Sequence, residues 1–241
     1  MTRLSLARLA LFALFGLALV AHGGRAQAQD LAPGHDDART VASWVQSFYD
    51  STTSVEADFQ QFFWTRVYNR TDTSRGRLRI SRPGRIRFDY SEPSGKVVVG
   101  SEGHFTYYEP GESGGAGQYY TGESDSTSRA LGFLMGTSHL ARDFRFELVT
   151  SSTAPEGTVC LELRPRAPDP HYRRVRLYVM ARTGSIGVVQ RVAIEDPDGN
   201  WNTFAFSGFH FNREVAAGTF DYTPPAGARE ITPPSSSSSG E

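Results

Sequence analysis

Ile80-Ser81-Arg82-Pro83-Gly84-Arg85-Ile86-Arg87-Phe88-Asp89-Tyr90-Ser91-Glu92-Pro93 holds two alternating patterns that meet across a Pro-Gly break. Before the break, Leu78 and Ile80 share one face of an extended strand, and Arg77 and Arg79 take the other. After it, Ile86, Phe88 and Tyr90 alternate with Arg85, Arg87 and Asp89. Period two marks half-buried antiparallel strands, because successive side chains point to opposite faces. Pro-Gly supplies the turn chemistry between them. Together these residues make a β-hairpin with one apolar and one charged face. Arg82 interrupts the pattern. Its even number puts it on the face of Leu78 and Ile80, where five N–H donors need acceptors.

Toward the N-terminus, Arg3 and Arg8 precede an apolar run from Leu9 to Ala21, and Ala26-Gln27-Ala28 has the small-x-small form of a cleavage site. Residues 1–28 therefore read as a secretory signal peptide. No cysteine stands near the cleavage position, so the exported chain is expected to be soluble and without its own lipid anchor. No later run is long enough to cross a membrane as a helix. Without Arg3, Arg8 and Arg25 the chain carries 22 basic against 26 acidic residues, a net charge of about −4 that argues against a nucleic-acid partner. The single cysteine, Cys160, cannot form an internal disulfide and is read as a small buried or face residue.

Residues 29–36 read as a loose leader, 37–232 as one domain and 233–241 as a disordered Ser-rich tail. Val41, Trp44, Val45, Phe48 and Tyr49 recur at helical spacing behind Asp36 and Asp37, which predicts an amphipathic helix. Strand patterns follow at 54–68, 96–100, 104–108, 118–121, 144–150, 158–164, 172–180, 186–195 and 201–211. Asn69–Ser74 reads as a polar turn, 123–142 as a return to helical spacing, and Phe220–Pro225 as a last edge strand. The fold class is mainly β (α+β), with about ten to eleven antiparallel strands. So large a twisted sheet curls, and its concave face must be covered.

Motifs for chemistry are weak. Gly111-Glu112-Ser113-Gly114-Gly115 matches G-x-S-x-G by letters but lacks the preceding buried strand and following helix of a nucleophile elbow. The histidines have no i, i+4 pair, and Asp196-Pro197-Asp198-Gly199 lacks the closing glutamate of a calcium loop. No catalytic residue, metal site or cofactor is assigned. Arg66, Arg70, Arg75, Arg77, Arg79, Arg82, Arg85 and Arg87 crowd one region with Asp72 among them. They form either a solvated outer face or a docking surface for an acidic partner. Phe59, Phe88, Tyr90, Phe105, Tyr107, Leu131, Phe133 and Leu134 are either ordinary core or the lining of an apolar ligand cavity.

The strand Val55-Glu56-Ala57-Asp58-Phe59-Gln60-Gln61, the segments Leu78–Pro83 and Phe88-Asp89-Tyr90, and the closing Phe220-Asp221-Tyr222-Thr223-Pro224-Pro225-Ala226-Gly227 resemble the LolA family of periplasmic outer-membrane lipoprotein carriers. The resemblance spans about residues 37–232. It implies an open, incomplete antiparallel β-barrel with a lid of short helices over a hydrophobic cavity. It also implies a monomeric periplasmic carrier that is not an enzyme. Such a carrier takes acylated lipoproteins from an inner-membrane ABC-type release complex and hands them to an outer-membrane acceptor lipoprotein. On that likeness Arg82 is a latch that hydrogen-bonds lid backbone, and Leu78, Ile80 and Ile86 join the eight residues above in the acyl-chain cavity. The alternatives are a lipid- or lipoprotein-sensing module of the same fold and, less favoured for want of a triad, a secreted hydrolase.

Overall fold

A computed structural model describes residues 31–101, 103–123 and 131–232. The expected signal peptide and Ser-rich tail lie outside the described residues, as do residues 124–130 of the 123–142 segment.

Helix α1 (Ala38–Asp50) begins where Asp37 caps it: the carboxylate accepts from the N–H groups of Arg39 and Thr40 at 3.3 and 3.0 Å. The Thr40 hydroxyl and N–H together hold that carboxyl below its ordinary value. Its stabilisation is therefore present at neutral pH and is lost as pH falls through the depressed value. Asp37→Ala is expected to lower the melting temperature by roughly 2–4 °C. The difference from the parent should close in melts recorded at progressively lower pH. One stripe of the helix, Val41, Ala42, Val45 and Tyr49, is buried against the sheet.

The strands are β1 (Ser54–Thr65), β2 (Arg70–Ser81), β3 (Arg85–Glu92), β4 (Ser94–Ser101), β5 (His104–Glu109), β6 (Gln118–Glu123), β7 (Phe144–Leu148), β8 (Thr158–Pro165), β9 (Arg174–Met180), β10 (Val189–Glu195), β11 (Trp201–Phe211) and β12 (Arg229–Glu230). Two short helices, α2 (Gly132–Met135) and α3 (Leu140–Asp143), separate the two runs of strands. All twelve strands form one sheet in the order β12-β6-β5-β4-β3-β2-β1-β11-β10-β9-β8-β7. The first half is a meander from β1 to β6, the second a meander from β7 to β11, and β1 pairs with β11 to join them. Every pairing is antiparallel except β12 with β6. The edges β7 and β12 are not paired with each other among the described residues, so the sheet curls without closing.

The β2–β3 hairpin has the expected faces: Leu78 lies opposite Phe88 and Ile80 opposite Ile86, all four buried. Four expectations need correcting. Asn69–Ser74 is not a turn, since β2 starts at Arg70 and the reversal is completed by Asn69 at φ +44°. The leader is not loose from residue 31 onward: Leu31 bridges Arg182, and the Ala32 N–H donates to the Ala181 carbonyl at 2.6 Å. Phe220–Pro225 is not a strand; two prolines without N–H groups end it, and the edge piece is β12. Helical spacing after residue 131 yields two single turns, because Gly136 at φ +76° caps α2 in the left-handed region.

The segment after β11 crosses the outer face of β3 to β5. Arg87 donates to the Thr219 carbonyl at 2.9 Å, and its guanidinium lies over the Tyr222 ring at 5.6 Å. Arg85 lies over Phe220 at 5.4 Å, and Tyr108 meets Tyr222 at 6.1 Å. The segment then reaches the sheet edge, where the Arg229 and Ile231 N–H groups donate to the Gly117 and Tyr119 carbonyls. On the outer face of the other half, buried Glu162 is ringed by Arg164, Arg174 and Arg176. Burial pushes the Glu162 carboxyl up, but the three guanidinium groups outweigh that and hold it below its ordinary value.

Candidate functional site: an aromatic cavity under a helical cover

Strand parity sends Phe59 and Gln61 of β1, Ile86, Phe88 and Tyr90 of β3, Lys96 and Val98 of β4, and Phe105 and Tyr107 of β5 to the concave face. Their rings interlock: Phe59 sits edge to face 5.3 Å from Phe88 and 5.0 Å from Tyr90, and Phe88 sits 5.4 Å from Phe204 of β11 at a tilt of 41°. Beside this layer is a cavity of about 130 Å³, walled by Ile86, Phe88, Tyr90, Val98, Phe105, Tyr107, Tyr120, Leu131 and Phe204, with Gln61, Lys96 and Asn202 at its polar end. That is below the roughly 300–1,000 Å³ usual for a ligand pocket. A long alkyl chain therefore enters only if the rings or the cover move.

The cover is α1 with α2 and α3. Tyr49 meets Phe133 edge-on at 5.7 Å and accepts a hydrogen bond from the Val189 N–H at 3.3 Å through its hydroxyl oxygen. Burial raises the Tyr49 phenol above its ordinary value. Gln46 accepts from the Leu140 N–H at 3.0 Å, tying α1 to α3.

The cavity changes character along its length. At one end Ile86, Phe105 and Leu131 offer no polar atoms. At the other, the Tyr90 hydroxyl donates to Gln61 Oε1 and Gln61 Nε2 donates to Asn202 Oδ1, both at 2.8 Å. Lys96 Nζ stands 4.5 Å from the Tyr90 ring centroid and 4.9 Å from that of Tyr107, which stacks on Tyr120 at 5.1 Å. Burial pushes the Lys96 ammonium below its ordinary value, with Glu109 partly opposing the shift.

The family model for the outer membrane lipoprotein carrier protein LolA matches residues 50–223. The chain belongs to the LolA family. It is similar to the outer-membrane lipoprotein carrier protein of Dechloromonas aromatica, 28% identical over 184 residues that cover 76% of this chain and 84% of that one. It is also similar to the protein of the same name from Methylobacillus flagellatus, 24% identical over 76% of this chain and 85% of its relative. Among solved structures, a LolA superfamily protein from Nitrosomonas europaea is matched at 13% identity over 77% of this chain and 97% of that chain, with a TM-score of 0.44. A LolA family chain is a lipoprotein carrier by class. No described helix is long and apolar enough to cross a membrane.

Of the residues expected at a LolA cavity, Ile86, Phe88, Tyr90, Phe105, Tyr107 and Leu131 line the void. Phe59, Leu78, Ile80, Phe133 and Leu134 do not reach it. They are buried in the layer behind it and under the cover. Gln61, Lys96, Val98, Tyr120, Asn202 and Phe204 line the cavity without having been singled out. Parity two residues from Phe59 marks Gln61, and Val98 stands opposite Phe88, but their polarity or small size hid them.

Arg82 lies just beyond the end of β2 with a side chain 11% exposed. It donates to the Thr52 carbonyl and the Asp50 carboxylate, each at 3.4 Å, at the C-terminal end of α1. The likeness to the family placed its acceptors on lid backbone generally. Here one is a carbonyl just after α1 and the other a carboxylate. The guanidinium also packs on Gly136, where an added Cβ would stand 2.7 Å from Arg82 Nε. The direct bond from the hairpin turn to α2 comes instead from the Gly84 N–H, which donates to the Met135 carbonyl at 2.9 Å.

The arginine-rich outer face is largely neutralised: across strands Arg77 pairs with Glu56 and Asp58, Arg79 with Asp89 and Arg75 with Glu92, and along β3 Arg87 also pairs with Asp89. These carboxylates lie on β1 and β3, outside the run from Arg66 to Arg87. The exposed pairs among them, Arg75 with Glu92 and Arg77 with Asp58, contribute little to stability.

Proposed function

We propose that the chain is a periplasmic carrier that shelters the acyl chains of lipoproteins released from the inner membrane and delivers them to the outer membrane. The observation that carries this reading is the ring-lined concave face, closed by helices over a cavity too small to be at its full working volume. Burial of each CH₂ contributes roughly 0.8 kcal/mol, so an acyl chain crossing water needs such a dry surface. A carrier must also release, and a cover whose closure competes with the ligand lowers affinity by its own closing free energy. Arg82 and the Gly84 N–H at the hairpin turn are the groups that hold this cover down. An inner-membrane ABC-type complex loads the carrier and an outer-membrane acceptor lipoprotein receives the cargo.

The test is native mass spectrometry of the protein purified gently from its own periplasm. Masses of bound triacylated lipoprotein are expected. Recovery with free lipid alone, or empty from cells rich in lipoprotein, would overturn the carrier role.

A further inference from the structure

The acyl-chain reading uses the apolar end of the cavity and leaves Lys96 unexplained. Lys96 is the only lysine of the sequence. It stands on the concave face of β4, two residues before Val98, with no carboxylate within ion-pair distance among the described residues. Its cation is held by ring faces, those of Tyr90 and Tyr107 at 4.5 and 4.9 Å. Glu109 acts on it only through space. Next to it the hydrogen-bonded pair Gln61 and Asn202 supplies further polar atoms at the same end of the void.

A half-buried ammonium held chiefly by aromatic faces retains three donors and much of its field. A ligand that buried an alkyl chain among Phe88, Phe105 and Phe204 would carry its terminal group toward that ammonium. An anionic terminus would be attracted there and a cationic one repelled. We propose that the cavity binds anionic single-chain amphiphiles, such as a fatty-acid carboxylate or a monoacyl phosphate, with the chain in the aromatic layer and the head group on Lys96. This rests on the reading of the cavity as an acyl-chain site and adds a ligand class to it.

Affinities of the full mature chain for myristate, tetradecyl phosphate, tetradecanol and tetradecyltrimethylammonium should be measured side by side in the parent, Lys96→Met and Lys96→Arg. The readout is the ratio of anion to alcohol affinity within each variant. The parent is expected to favour both anions over the alcohol by about tenfold and to bind the cation most weakly. Lys96→Met should bring the ratio near one, and Lys96→Arg should restore the preference. Equal affinity for anion and alcohol in the parent, or a preference that survives in Lys96→Met, would sink the proposal while leaving the acyl-chain reading intact. Failure of every chain to bind would sink both.

A second arm uses the solitary lysine. Reductive ¹³C-methylation keeps its charge and gives one lysine resonance, which should move on adding myristate. Inorganic phosphate alone should leave it unmoved. If free phosphate moves it equally, the site is a general anion site and the amphiphile assignment is wrong.

Discussion

Gly76→Ala is expected to lower the melting temperature by about 6–12 °C, corresponding to roughly 3 kcal/mol or more. Gly76 lies on the concave face of β2, opposite Phe59 on one side and Tyr90 on the other, beside a register shift in the β2–β3 ladder. A Cβ there would stand 2.1 Å from the Asp89 carbonyl oxygen and 2.8 Å from the Tyr90 Cα. Both are backbone atoms of the paired strand, so no rotamer change relieves the clash, and β3 must shift at the point where it presents Phe88 and Tyr90 to the cavity. Gly115→Ala is the control: its nearest non-neighbour atom is at 3.4 Å, its φ is not positive, and roughly no change is expected. Thermal melts of the two variants decide the matter. A parent-like Gly76→Ala would show that β2 and β3 are not in this register.

Arg82→Leu carries the second large effect, on release instead of folding. The side chain is seated where the ends of α1 and α2 converge, against Gly136, Thr52 and Asp50. Removing it deletes hydrogen bonds that the empty, closed state makes and that an opened cover would break. Charge-assisted bonds of this sort are worth on the order of 1.5 kcal/mol, so affinity for acyl cargo should rise about tenfold and transfer to acceptor membranes should slow by the same factor. Asp50→Asn weakens one of the two bonds and should show a smaller slowing. Transfer is followed as loss of bound lipoprotein after mixing with acceptor vesicles, with circular dichroism confirming the fold. Transfer by Arg82→Leu at the parent's rate would remove Arg82 from the latch.

The two readings of the sequence that rested on period two, the hairpin and most strand positions, were local. Each strand announces its own faces, and the β2–β3 pairing follows from a turn only three residues long. The join of β1 to β11 was not legible in this way, because Val55 meets Phe211 across most of the chain and periodicity names a face without naming a partner. The same blindness made Arg75, Arg77 and Arg79 look unpaired, since their carboxylates come from adjacent strands. Cavity and core were indistinguishable for a different reason: both are made of Phe, Tyr and Leu on a concave face, and what separates them is unfilled volume. Only the polar members tell them apart, and Gln61, Lys96 and Asn202 are isolated letters until three strands bring them together.

The segment that leaves β11, crosses the outside of β3 to β5 and fastens at β12 has a mechanical meaning. It runs from the middle of the sheet to its far margin, pinned at Thr219, Phe220, Tyr222 and Arg229. It acts as a hoop around half of the curled wall. A hoop resists growth in circumference while leaving the top free to lift, so swelling to admit cargo is steered away from splaying β3, β4 and β5 and toward raising the helices.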